Sequence, residues 1–214
     1  MTHRWLTRAL VAVAVPALLF PAVASSATAA PKPPAVPSLD AVVKIYPHLD
    51  GWSADVTRDS KIRMPEKSCE RGDVIKGATG REAMYMPDFE HMEDADDLEI
   101  TGQEPMVSVM AQVFPSARVA SQYLGAVLTE GEDCEEAEGD VVQMKKIRFK
   151  LGSERWGFQM RMGSKKEPLI ANALFIRAGA KVVGVTSMSL TGKTAPSIPK
   201  TIALARLALK TARS

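Results

Sequence analysis

The clearest pattern in the chain is a run of apolar and polar alternation in its last third. Val142 to Leu151, Glu154 to Gly163, Leu169 to Ala178 and Lys181 to Leu190 read as four strands separated by short turns, which makes an antiparallel meander. Gly152 and Ser153 form a two-residue loop of the kind that sets hairpin register. That loop places Leu151 opposite Glu154, Lys150 opposite Arg155, Phe149 opposite Trp156, Arg148 opposite Gly157 and Ile147 opposite Phe158. Ile147, Phe149, Trp156, Phe158 and Met160 then share a buried face, with Phe149, Trp156 and Phe158 at the centre of the core. Lys146, Arg148, Lys150, Arg155 and Arg161 share the opposite face.

Upstream, Met106 to Phe114 alternates in the same way, with Val107, Val109, Ala111 and Val113 on one side, so it predicts another strand. Pro115 ends it. Ser116 then caps a helix to about Thr129 with Ala120, Tyr123, Leu124, Val127 and Leu128 inward. A short helix begins at Ser38 with Leu39, Val42, Val43 and Tyr46 on its apolar side and stops at Pro47. Asp50 and Gly51 mark a turn before Trp52, an anchor for the next segment. Residues 53 to 87 are broken by Pro65, Gly72, Gly77, Gly80 and Pro87 and read as a few short strands, Glu82 to Met86 among them. A last helix is capped by Ser197, with Pro199 in its first turn and Ile198, Ile202, Ala205 and Leu209 as its inward stripe.

The first residues change the picture, because they do not belong to the fold. Arg4 and Arg8 precede an apolar run from Ala9 to Phe20, and Ala27, Thr28 and Ala29 make a small-residue cleavage site. At ~1.5 Å per residue that run reaches only ~18 Å, short of the ~30 Å hydrocarbon core of a bilayer. Residues 1 to 29 are therefore expected to be a secretory signal peptide. No cysteine near the cleavage region offers a lipid attachment point, and no other stretch is apolar enough to span. Residues 30 to 37, rich in proline, read as an extended linker, and 38 to 214 as a single domain secreted from the cell. In an oxidising compartment the two cysteines, Cys69 and Cys134, are expected to pair, closing a loop of about 65 residues and adding ~4 kcal/mol.

Charge is strongly polarised along the chain. Residues 31 to 140 carry 10 Lys and Arg against 23 Asp and Glu, while residues 141 to 214 carry 15 against 2. The large acidic half argues against a nucleic-acid partner and suggests that the two halves neutralise each other. Two acidic stretches, Asp88 to Glu99 and Glu130 to Asp140, are the candidates to cover the basic strands. The other reading leaves Lys146, Arg148, Lys150, Arg155 and Arg161 open to an anionic partner such as a component of the cell envelope. Lys150 opposite Arg155 is an unfavourable pair unless something anionic lies over it.

Catalytic chemistry is sparse. Beyond the signal segment only His48 and His91 are present, and no G-x-S-x-G elbow, H-E-x-x-H helix or glycine-rich phosphate loop occurs. His48 lies at a helix end between Pro47 and Leu49, where it caps or packs. His91 sits in the acidic stretch, where calcium would need a sharp glycine turn that is absent between Asp88 and Glu99. No metal or cofactor is expected. Met84 with Met86 and Met160 with Met162 fill core gaps or line a pocket for an apolar ligand.

The motif Phe114-Pro115-Ser116-Ala117 with Ala120 enters a helix leading to Cys134, followed by a strand meander and a helix containing Leu204-Ala205-Arg206-Leu207-Ala208. This layout, over residues 105 to 214, resembles the extracellular sensor-type domain of actinobacterial PknH-like kinases and their secreted relatives. That family commonly has two disulfides and a tryptophan shortly before the helix-end cysteine, where this chain has Glu132 and Asp133. The resemblance implies an antiparallel sheet with helices, a binding role outside the cell and no catalytic residues to carry over. The expected fold class is α+β, an antiparallel sheet holding the four-strand meander, with helices packed on one face and a single disulfide. The expected function is a non-enzymatic, sensor-like binding domain. The alternatives are a secreted hydrolase built on paired carboxylates and a carrier of an apolar ligand.

Overall fold

The computed structural model describes residues 31–59, 61–65, 71–86, 106–129, 143–163, 168–189 and 194–214. Cys69, Cys134, His91, the signal segment and both long acidic stretches lie outside the described residues, and with them the expected disulfide.

A short helix, α1 (Leu39–Val43), and a single 3-10 turn (Pro47–Leu49) precede strands β1 (Ser53–Asp59), β2 (Arg63–Pro65), β3 (Arg71–Val74), β4 (Thr79–Met86) and β5 (Met106–Val113). Helix α2 (Ala117–Thr129) leads to β6 (Gln143–Lys146), β7 (Glu154–Gly163), β8 (Pro168–Ala178) and β9 (Lys181–Ser189), and helix α3 (Ile198–Thr211) closes the chain. β2 and β3 form a ribbon of their own. The remaining strands make one antiparallel sheet in the order β1-β4-β5-β9-β8-β7-β6. The meander is present, and its last strand pairs with β5, so it continues into the upstream hairpin rather than standing alone.

Helices cover both faces of this sheet, which corrects the expectation of helices on one face. On one side Val107, Val109 and Ala111 of β5, Leu174 and Ile176 of β8, and Val183 and Val185 of β9 pack with Val42 of α1 and with Leu204, Ala205, Ala208 and Leu209 of α3. On the other, Val182 and Phe175 meet Ala120, Tyr123 and Leu124 of α2, where the Phe114 and Tyr123 rings sit 4.8 Å apart. The physical sign is in β9 itself. Val182, Val183, Gly184 and Val185 are consecutively buried, the mark of a strand covered on both sides.

The β6–β7 hairpin departs from the expected register by one residue. Lys146 pairs with Phe158 and Met144 with Met160, where Ile147 was expected opposite Phe158. The strand pairing stops at Lys146, and residues 147–153 cross to β7 as a longer connection held by the Ile147 amide donating to the Gly157 carbonyl at 2.7 Å. Two causes are visible. Ile147, Phe149 and Leu151 drop into the core under α3, which a one-residue slip would forbid because it turns every side chain to the other face. Gly152, at φ 68°, also lies against β8 rather than in a tight hairpin. A Cβ there would meet the Arg177 carbonyl oxygen and Ile176 Cγ2, each at 2.5 Å. The expected buried set is thereby split. Ile147 is buried on the α3 side, while Trp156, Phe158 and Met160 lie on the opposite face and Trp156 is 40% exposed.

The proline segment 31–37 forms neither helix nor strand, and Pro33, Pro34 and Pro37 are buried. The Tyr85 hydroxyl donates to the Pro37 carbonyl at 2.6 Å, and burial pushes the Tyr85 phenol well up. Helix α3 is tied at both ends. Ser197 Oγ accepts from the Lys200 amide, and Lys181 Nζ donates to the Ala212 carbonyl at its C-terminus.

Candidate functional site

Where β6 ends, the outer edge of β7 loses its strand partner and a groove of about 670 Å³ opens between residues 146–150 and the start of β7. Period-two alternation puts Ile147 and Phe149 inward and leaves Arg148 and Lys150 exposed. Phe149 lies across β7 at Gly157, where a Cβ would come within 2.9 Å of its ring, so glycine is what allows the aromatic floor. Lys146 and Arg155 add two more exposed cations to the lining, and Lys146 Nζ lies 5.7 Å from the centroid of the Trp156 ring.

Among the described residues one carboxylate lines the groove, and it is already engaged. Glu154 accepts from Arg177 Nη2 at 2.5 Å and from Ser121 Oγ of α2 at 2.9 Å. The Arg177 hydrogen bond, partly opposed by desolvation, holds the Glu154 carboxyl below its ordinary range. Ser153 Oγ likewise donates to the Arg177 carbonyl at 3.1 Å. Among the described residues, Lys146, Arg148, Lys150 and Arg155 therefore face the groove with no lining carboxylate left to neutralise them, which makes a positive field over an aromatic wall. Such a surface holds an anion that also offers an apolar face.

Of the five basic residues singled out in the sequence, four are brought together here. They straddle the sheet edge instead of sharing one face. Lys146 sits on the Trp156 side, whereas Arg155 pairs with Ile176 and belongs to the α3 side. Arg161 lies apart, in a second hollow with Lys145. Sequence reasoning missed Trp156 as a groove residue because the assumed register buried it. It also missed Arg206 and Lys210, four apart on one face of α3, and Arg213 just past the helix end, which together line a further hollow beside Lys150. Among the described residues, Asp40, Asp50, Asp55, Asp59, Asp73 and Glu82 all belong to the chain from α1 to β4, and the strands β1 and β4 that carry Asp55, Asp59 and Glu82 lie at the opposite end of the sheet from β7 and β6.

The Glu154 pair has a pH signature. A carboxylate whose folded pKa is lowered contributes stability that is present above its unfolded value near ~4.3 and is lost as pH falls through the lowered folded value. Glu154→Gln should cost a few tenths to ~1 kcal/mol at pH 7, since the carboxylate is about a third exposed, and progressively less as pH falls below the unfolded value toward the lowered folded one. Urea melts from pH 7 down into the acid range read this directly, and a loss that stays the same over the whole range contradicts the pair.

No family model matches the sequence, and no curated protein matches it. Among solved structures the chain is similar to the extracellular domain of PknH from Mycobacterium tuberculosis, at 11% identity and a TM-score of 0.44, over 84% of this chain and 93% of that one. It is similar at the same identity and TM-score to an uncharacterised Mycobacterium smegmatis protein, the Rv0999 ortholog, over 81% of this chain and 97% of that one. The first is the extracellular domain of a kinase of the PknH group whose layout residues 105–214 resemble. The likeness is weak, and no residue role is carried across it. Among the described residues no helix is long and apolar enough to cross a membrane.

Proposed function

We propose that the protein is an exported binding domain, released by cleavage after a signal segment 1–29 and braced by a Cys69–Cys134 bridge, that holds an anionic ligand of the cell envelope in the groove beside β7. The observation that carries this reading is the groove itself. Four exposed cations and a half-exposed tryptophan line about 670 Å³, and the one carboxylate among its described lining residues is already bound by Arg177. That volume is within the ~300–1,000 Å³ of sites for ligands larger than an inorganic ion. The lining offers hydrogen-bond donors and a ring to stack on, which is the chemistry of holding a ligand in place.

A second reading has an observation of its own. The matched acidic and basic halves favour an acidic stretch of the same chain lying over the groove. One experiment separates the two. Trp156 fluorescence is titrated with galacturonate and with glucose 6-phosphate, in the parent and in a Lys150→Glu, Arg155→Glu double variant. Binding in the groove predicts a saturable change that the double variant weakens by about tenfold or more, at unaltered thermal stability. An intramolecular cover predicts no response to either probe and a double variant that melts lower in low salt, recovering as salt screens the charges.

A further inference from the structure

We infer that the ligand of this groove is a linear polyanion laid along the outer edge of the sheet, an inference that rests on the groove being a binding site. Among the described residues the groove adjoins two further basic hollows along residues 143–152. On one side Lys150 is shared with a hollow of about 450 Å³ whose other cations are Arg206 and Lys210 of α3 and Arg213 just past its end. On the other side a hollow of about 410 Å³ is lined by Lys145 and Arg161, with Gln143 and Gln159 as uncharged donors. Residues 143–152 pass all three in chain order, and at about 3.3 Å per extended residue they can cover up to ~33 Å. A single small anion would use one hollow and leave the others as unrelieved repulsion between like charges. Cations in the last turn of a helix favour its dipole, which accounts for Lys210. It does not account for Arg206, a turn earlier and lining a hollow with Lys150.

The shape favours a chain over a lipid surface. The cations line hollows that follow one another along residues 143–152 and come from both sides of the sheet edge, and Trp156 is part of a groove wall with Lys146 over its ring. A polymer bearing a carboxylate or a phosphate on each repeat meets a cation at every hollow, and its backbone has the length to join them. Binding then releases several counterions and weakens steeply with salt, in the manner of proteins that track a charged backbone.

The test uses the full exported protein and three kinds of probe: oligogalacturonates from dimer to long polymer, a glycerol phosphate polymer, and phosphatidylglycerol-containing vesicles. Affinity should rise by about tenfold or more from dimer to polymer, with a steeper salt dependence for the polymer. Arg206→Glu with Arg213→Glu, and separately Lys145→Glu, should leave dimer affinity unchanged and each lower polymer affinity by several-fold or more, with thermal melts showing the variants folded. The two polymers tell carboxylate from phosphate as the preferred charge. Affinity independent of length, remote variants without effect, or vesicles bound in preference to polymer would each overturn the inference while dimer binding keeps the groove. Neither dimer nor polymer binding would overturn both.

Discussion

Leu174→Ala should lower the stability of the domain by about 2 to 5 kcal/mol, whereas Trp156→Ala should cost under ~1 kcal/mol. Leu174 is fully buried on β8, with Gly157 beside it on β7 and Val185 on β9. Its Cδ2 lies 2.8 Å from where a Cβ on Gly157 would stand, so the leucine fills the space the glycine leaves. Trimming it opens a cavity between the sheet and α3 that rigid neighbours close only in part. Trp156, 40% exposed at the groove, leaves a hole that water fills. Urea melts with unchanged m-values measure both. A large loss for the tryptophan and a small one for the leucine would restore the tight hairpin register and refute the one described here.

That register marks the boundary of what the sequence alone discloses. β7 runs over the residues its alternation predicts, and β5, β8, β9, α2 and α3 start or end within about a residue of expectation, because each follows from periodicity and local caps. The turn at Gly152 does not, because its glycine is required by a contact with Arg177 and Ile176 two strands away, and no local rule contains that contact. The same holds for the site. Lys146, Arg148, Lys150 and Arg155 were recognisable as a basic set from alternation. Their gathering around Trp156 depends on the one-residue shift, and the contribution of Arg206, Lys210 and Arg213 depends on how α3 lies across the sheet. Helix cover on both faces was legible in the unbroken Val182–Val185 run, a signal hidden by reading β9 as one more alternating strand.

The residue most out of place in its own strand is Asn172, polar and fully buried between Ala171 and Ala173. Its Nδ2 donates to the Pro196 carbonyl at 2.9 Å and to Thr201 Oγ1 at 3.2 Å, and its Oδ1 accepts from Gln159 Nε2 at 3.0 Å. Thr201 spends its one proton on the Ser197 carbonyl at 2.9 Å, so Ser187, 2.8 Å away, must donate to it. The Tyr46 hydroxyl is buried at the rim of this network, and burial pushes its phenol up against the opposing pull of Thr201 and Ser187. The first turn of α3 is thus pinned to β8 and β9 by bonds with no water to replace them. Asn172→Ala removes the donor for a buried proline carbonyl and leaves a gap beside Thr201, and should cost about 3 kcal/mol.

Asn172→Asp tests the polarity of that pin, because it keeps the shape and replaces the donor with a carboxyl. Protonated, the new group can still donate one hydrogen bond. Ionised, it faces the Pro196 carbonyl oxygen with a buried charge, so its folded pKa must lie above the ~3.9 of the unfolded chain. The folded state then binds more protons than the unfolded one across that window. The destabilisation should be small near pH 3.5, grow as pH rises above the unfolded value, and level off only beyond the raised folded one. Paired urea melts of parent and variant from pH 3.5 to 7 check the sign. A loss that stays constant over that range would mean the side chain at 172 reaches water, and that α3 is held to the sheet by its apolar face alone.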